Sequence, residues 1–292
     1  MEPLNIFVFG AGYSAQAAIT ALRSGCDVSV TATTRSAEKA DDLTRKGIAA
    51  QIFDGTAPAP ALQPALEAAT HLLVSIAPGP DGDPVLAQLA PDLRAAPNLK
   101  WIGYFSTIGV YGDAEGEWID ETAPTEPLSA RNRYRLDAEA GWQALAEEKS
   151  IPLAILRLAG IYGPTRSPFE KLRSGTARRI VKPGQVFNRI HVHDIGAITA
   201  LAATQRLDGI FNVCDDEPAP PQDVIADAAR LLAMTPPPEI AFEDADLSPM
   251  ARTFYAGNRR VSNTRIKSAL GYSLKYPTYR EGHAAILRQR DD

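Results

Sequence analysis

Leu4-Asn-Ile-Phe-Val-Phe-Gly-Ala-Gly-Tyr-Ser-Ala15 decides the fold. An apolar strand breaks into a glycine turn, and an alanine-rich helix, expected over Ala15 to Arg23, begins at once. Gly10 makes the turn, Gly12 carries no side chain to block a diphosphate, and small Ala15 lets the helix pack on the strand. The helix N-terminus then offers unpaired N–H groups and the positive end of its dipole to phosphate oxygens.

Beyond this run, strand patterns recur with helical stretches between them. Strands are expected over Asp27 to Thr33, Ile48 to Phe53, His71 to Ile76, Lys100 to Ser106 and Leu153 to Leu158. Helices are expected over Ala37 to Lys46, Pro84 to Ala95 and Ala130 to Glu148, and Ala57 to Pro64 reads as a loop before a short helix. Apolar runs separated by helices imply a buried parallel sheet. After Pro164 prolines cluster and strands shorten, although Asn188 to Val192 and Gly209 to Val213 read as strands returning to the main sheet. The expected fold class is α/β, a Rossmann-type doubly wound parallel sheet with a small C-terminal substrate lobe. Residues 1–164 form the nucleotide-binding domain, its sheet completed by 189–214, and 165–188 with 215–292 form the lobe.

Bulk properties narrow the function. The 292 residues carry a net charge of −5, unlike a general nucleic-acid binder, which shows a basic excess. The two cysteines, Cys26 and Cys214, are far apart and lack metal-ligand spacing, so no metal site is expected. The chain starts directly on the strand pattern, which does not read as a signal peptide, and no apolar run nears the roughly 18 residues of a membrane helix. The expectation is a soluble, cytoplasmic protein.

The end of the second strand speaks to the cofactor. A site preferring NAD carries an acid about 20 residues past the glycines, whereas an NADP site offers space and an arginine. Here the chain reads Thr31-Ala-Thr-Thr-Arg35, with no acid, so Arg35 and the Thr33 and Thr34 hydroxyls suit a 2′-phosphate. NADPH is expected to bind more tightly than NADH.

Further runs carry a family resemblance. They are Phe105-Ser-Thr-Ile-Gly-Val-Tyr-Gly112, Leu156-Arg-Leu-Ala-Gly-Ile-Tyr-Gly-Pro164, Arg189-Ile-His-Val-His-Asp194, Phe211-Asn-Val213 and Arg260-Val-Ser-Asn263 with Ala269-Leu-Gly271. With the glycine turn, they make nearly the whole chain resemble the extended short-chain dehydrogenase/reductases, the NAD-dependent epimerase/dehydratase group. Phe9 stands where that group shows its first glycine. The resemblance implies hydride transfer to or from nicotinamide. A Ser/Thr hydroxyl holds the substrate oxygen, a Tyr moves its proton, and a Lys four residues later tunes the Tyr and holds the ribose. Thr107 matches the Ser/Thr. The cofactor contacts implied are Gly10, Gly12, Tyr13, Ser14 and Ala15 at the turn, Thr34, Arg35 and Asp54 beyond it, and Ser75, Ala77, Arg135 and Gly160 further on.

The Tyr-x-x-x-Lys pair is missing. Counting back from Glu139 puts Arg135 at the lysine position and Arg131 at the tyrosine position, on one helix face. Tyr134 points away from that face. Arg135 keeps a positive charge for the ribose, but Arg131, always protonated, is no proton donor. Its guanidinium suits a phosphate, a carboxylate or a developing oxyanion. Tyr111 and Tyr162 are both candidate replacements, although the resemblance implies that such tyrosines are mostly structural or line the substrate pocket, where Tyr162 is expected. His191 and His193 read as packing or capping residues, and Asp194 as the N-cap of a helix over Ile195 to Ala203.

Between Thr165 and Arg189 stand Arg166, Lys171, Arg173, Arg178, Arg179, Lys182 and Arg189 against the single acid Glu170. Arg252, Arg259 and Arg260 add to this excess. An anionic substrate follows, with Tyr162, Arg178 and Arg189 as its expected contacts. Two classes stay open: an NADP-dependent oxidoreductase or epimerase, and a protein that keeps NADPH as a structural or sensing ligand. The resemblance also implies a homodimer through the helix of Ala130 to Glu148.

Overall fold

The computed structural model describes residues 4–291. The chain opens with β1 (Leu4–Phe9), α1 (Tyr13–Gly25), β2 (Val28–Thr34), α2 (Ala37–Arg45), β3 (Ala49–Ile52) and α3 (Gln63–Ala68). It continues through β4 (His71–Val74), α4 (Pro84–Ala95), β5 (Trp101–Thr107), β6 (Trp118–Ile119), α5 (Ala130–Lys149) and β7 (Leu153–Leu158). Then come β8 (Gly160–Tyr162), α6 (Pro168–Arg173), β9 (Arg179–Val181), β10 (Arg189–His191), α7 (Val192–Gln205) and β11 (Gly209–Val213). The last elements are α8 (Pro221–Leu231), β12 (Glu239–Ala241), α9 (Pro249–Thr253), β13 (Arg260–Val261), α10 (Thr264–Leu270) and α11 (Tyr279–Asp291).

Seven strands form one sheet in the order β11-β7-β5-β4-β1-β2-β3. The chain moves outward from β1 to β3, then crosses back to β4 on the other side of β1. That reversal makes a topological switch point, where open α/β sheets leave a crevice at the strands' carboxyl ends. Val8 lies beside Ala32, Phe9 beside Val74, and Val74 beside Tyr104, all in parallel register. The carboxyl ends of β1, β2, β4 and β5 therefore come level. This is the Rossmann-type sheet that the alternating pattern implies.

Alternation along each strand sorts the core. Phe7 and Phe9 join Leu72, Val74, Ile102 and Tyr104 in a cluster with Leu66, Leu89, Leu93 and Trp142 from α3, α4 and α5. Asp83 caps α4, its carboxylate accepting the Val85 and Leu86 N–H groups at 2.9 and 3.2 Å and the Trp142 indole N–H at 3.0 Å. Burial pushes that carboxyl above its usual range. Gly196 of α7 lies so close to α1 that an added Cβ would sit 2.6 Å from the Ala17 carbonyl oxygen.

The chain divides into two compact units. The first holds the stretch ending at Thr107, Ala130–Arg157 and Ile195–Phe211; the second holds Ile108–Ser129, Leu158–Asp194 and the stretch from Asn212 onward. These bounds differ from the expected lobe, because 108–129 and 158–164 lie in the second unit. One strand expectation is also corrected. β10 does not return to the main sheet but pairs with β8, Arg189 beside Gly160 and His191 beside Tyr162. Among the described residues, β11 is the strand after β7 that joins the main sheet.

Candidate functional site

In the first unit, the glycine turn is held from behind. Thr33 accepts the Gly10 N–H with its hydroxyl and the Ala11 N–H with its carbonyl, both at 2.9 Å. Gly10 has φ +85°, and a Cβ there would meet Ile76 Cγ1 at 2.8 Å, so only glycine fits without strain. Gly12 is different. It is the N-cap of α1, it is exposed, and an added Cβ would find no atom within 4 Å. No side chain caps the first turn, and no acid occupies it. The first-turn N–H groups, those of Ser14 and Ala15 among them, have no carbonyl within the helix to reach. An open cradle in front of uncapped donors fits a diphosphate.

The neighbouring strand ends border this cradle. Ser75 donates its N–H to the Phe9 carbonyl at 2.9 Å, which brings the Ser75–Ala77 segment beside the turn. Thr34 is buried at the end of β2, and Arg35, the next residue, is exposed with no ion pair among the described residues. Asp54 follows β3, where the Thr56 N–H and hydroxyl hold its carboxylate below the usual range at 2.9 and 2.8 Å.

Along β5, Thr107 is half-buried at the strand's carboxyl end. Arg135 on α5 donates to the Phe105 carbonyl at 2.6 Å and to the Tyr104 hydroxyl at 3.3 Å, its guanidinium 5.6 Å from the Tyr104 ring centre. Burial raises the Tyr104 phenol well above its normal titration, so it stays protonated. Arg131, one turn earlier, is exposed, and its side chain makes no hydrogen bond or ion pair among the described residues.

In the second unit, several expected contacts are already engaged. Tyr111 is buried, and its hydroxyl donates to Asn212 Oδ1 at 2.8 Å. Gly160 donates its N–H to the Asn188 carbonyl at 3.1 Å, and a Cβ there would crowd the same oxygen. Tyr162 is buried against Gly282 of α11, donates to the Thr278 carbonyl at 3.2 Å, and is pushed to higher pKa by burial. Arg189 donates to the Phe187 and Ala219 carbonyls at 2.9 and 3.1 Å, and desolvation lowers its pKa. Arg178 donates to the Asp246 carbonyl at 2.7 Å.

Other members of the basic run are engaged as well, although Arg166, Lys171, Arg173 and Arg178 are exposed. Arg179 pairs with Glu239 at 2.8 Å, Lys182 donates to the Tyr255 carbonyl at 2.5 Å, and Arg173 lies 3.7 Å from Glu170. Arg259 and Arg260 donate to carbonyls of the 111–116 loop, and Arg252 to the Ala245 carbonyl. Each of these cations is tied to a carbonyl or an acid of the chain itself. Asp194 is no N-cap either. It lies inside the first turn of α7 and accepts from the Tyr272 hydroxyl at 2.6 Å and the Lys275 and Tyr276 N–H groups at 2.8 and 3.1 Å.

Two buried features lie outside the expected site residues. Asp215 is 1% exposed, its Oδ2 has no hydrogen-bond partner among the described residues, and burial raises its pKa to about 8. Glu139 and Arg157 form a buried ion pair at 2.7 Å. No motif signals Asp215. Glu139 stands where the resemblance places a typical glutamate, and Arg157 lies in the Leu156–Pro164 run, but neither signals that the two meet.

Among solved structures, a functionally unknown conserved protein from Silicibacter pomeroyi DSS is 46% identical, with a TM-score of 0.89 and 98% of each chain covered. The chain belongs to the family of that conserved protein. A UDP-glucuronic acid 4-epimerase from Bacillus cereus, solved in complex with NAD, aligns with a TM-score of 0.76 over 99% of this chain and 100% of that one, at 17% identity. The fold is therefore that of the NAD-dependent epimerases and dehydratases. Protein YeeZ from Escherichia coli (strain K12) is 31% identical over 191 residues, 64% of this chain and 62% of that protein. A 3-diazoavenalumate denitrifying reductase from Streptomyces sp is 25% identical over 222 residues, 72% of this chain and 61% of that protein. The matches thus span about three fifths of these curated relatives' lengths. No protein-family model matches the chain. No helix among the described residues is long and apolar enough to cross a membrane.

Proposed function

We propose that this chain is an NAD(P)-dependent oxidoreductase or epimerase/dehydratase-like enzyme for a small, anionic carbonyl or sugar-nucleotide substrate. It represents an atypical branch without the Tyr-x-x-x-Lys pair. The observation that carries the reading is the open turn at Gly12 before an uncapped helix, at the switch point of the sheet. The NAD complex of the structural neighbour and the reductase named among the relatives support it.

Gly12 and the first turn of α1 would hold the diphosphate, and Arg35 with Thr34 the 2′-phosphate of NADP. When bound, the nicotinamide supplies or accepts a hydride. Thr107 orients the substrate oxygen from the end of β5. Arg135, kept in place by its donation to the Phe105 carbonyl, would hold the ribose. Arg131 does not deliver a proton near neutral pH, because a guanidinium keeps it. It holds an anionic group of the substrate, and water delivers the proton.

A second reading has its own observation. Tyrosine and lysine positions both carry arginine, and the Tyr111 hydroxyl is buried on Asn212. On that reading the protein binds NADP(H) as a sensing or structural ligand and transfers no hydride. Fluorescence titration with NADPH and NADH, followed by mixing the NADPH-loaded protein with aldehydes, keto acids and nucleotide sugars, separates the two. Tighter NADPH binding with coenzyme oxidation supports the enzyme. Binding without turnover across that panel supports the second reading, and absence of binding overturns both.

A further inference from the structure

Glu139 has no part in the reading above, yet its contacts reach the candidate site. It lies one helical turn beyond Arg135 on α5, on the same face. Its side chain is 2% exposed, and that of Arg157 on β7 is 4% exposed. Arg157 donates to the two Glu139 oxygens, from Nε to Oε1 at 3.1 Å and from Nη2 to Oε2 at 2.7 Å. The Ser106 hydroxyl donates to Oε1 at 2.5 Å. One turn earlier, Arg135 grips the carbonyl of Phe105. Consecutive turns of α5 therefore hold consecutive residues of β5, and the next residue along is Thr107.

Thermodynamics argues for a geometric purpose. A buried ion pair adds little net stability over a well-packed apolar pair, because desolvation offsets the attraction. An apolar pair would also leave the Ser106 hydroxyl buried and unpaired. What the carboxylate supplies is a fixed rotation of α5 and a fixed backbone at Phe105 and Ser106.

We propose that Glu139, held by Arg157, is a positioning residue that sets where the Arg135 guanidinium and the Thr107 hydroxyl stand at the carboxyl end of β5. The coenzyme arm of its test rests on the function proposed above; the structural arm does not. NADPH affinity is measured for the parent, Arg135→Ala, Glu139→Gln and the double variant. Each single change is expected to weaken binding about ten-fold, and the double variant to bind no worse than Arg135→Ala, since Glu139 acts through Arg135. A merely structural loss would weaken binding equally in both backgrounds, and that result, or an unchanged Glu139→Gln, overturns the proposal. In the structural arm, a crystal structure of Glu139→Gln should show the Arg135 guanidinium released from the Phe105 carbonyl. Retention of that bond at 2.6 Å overturns it. If the parent binds neither coenzyme, the function reading falls, while the crystal structure still decides this one. Should Glu139→Gln not fold, Ser106→Ala leaves the ion pair intact and is read in the same cycle, with an expected loss of about three-fold.

Discussion

Replacing Gly12 by serine should move stability and binding in opposite directions. Gly12 has φ −79° and ψ −172°, a conformation any residue adopts, and a Cβ there meets nothing within 4 Å. Strain is therefore absent. Serine is the better N-cap, because its hydroxyl accepts an N–H from the first turn, a gain over glycine of a few tenths, about 0.3 kcal/mol. The same hydroxyl takes a donor assigned to the diphosphate and fills the space it would enter. Losing one charge-assisted hydrogen bond removes about 1.5–3 kcal/mol of binding, roughly a ten- to hundred-fold weaker affinity. Gly10→Ala is the contrast. Its positive φ and the 2.8 Å approach to Ile76 should destabilise the fold by about 1–2 kcal/mol or more. Thermal unfolding and NADPH fluorescence titration read both variants. A Gly12→Ser protein that melts no lower than the parent and binds NADPH as tightly would refute the assignment of this turn to phosphate.

The remaining predictions concern single groups. Arg35→Glu should reverse the coenzyme preference from NADPH to NADH, shifting the ratio of affinities at least ten-fold, as judged by parallel titrations; an unchanged ratio removes Arg35 from the site. Asp215 should make stability fall as pH rises. The unfolded carboxyl ionises near its ordinary value of 3.8, whereas the folded one, buried beside Asp216 and Glu217 and only partly compensated by Arg189, holds its proton to about 8. Between those values the unfolded chain binds fewer protons, so each pH unit costs about 1.4 kcal/mol at most, until the slope ends above pH 8. Denaturant melts of Asp215→Asn should show that slope removed, and a parallel pH profile in parent and variant contradicts the assignment. Thr107→Ala should abolish most coenzyme oxidation with any substrate found, while leaving NADPH affinity within about two-fold. A matched loss of affinity would place Thr107 on the cofactor instead.

Much of the first unit was legible in the chain because its signals are local. Glycine turn, apolar alternation and the Asp83-Pro84 helix start act over a few residues, so α4, β7 and β11 fall where expected and other boundaries shift by one to three residues. The cradle at Gly12, and Arg35 after β2, follow from the same short-range rules. The fates of charged and phenolic side chains did not, because a hydrogen-bond partner is chosen by what distant backbone arrives alongside. Arg178 meets a carbonyl 68 residues away, Tyr111 an amide 101 residues away and Tyr162 a carbonyl 116 residues away. Part of a run of basic residues that reads as an anion surface in one dimension is thus tied to carbonyls and acids in three, while Arg166 and Lys171 stay exposed. Composition and periodicity determined the sheet and its glycine turn. Only tertiary structure decided which cations stay exposed, which acids are buried, and that Glu139 and Arg157 meet, because burial and partnership are properties of the packed chain.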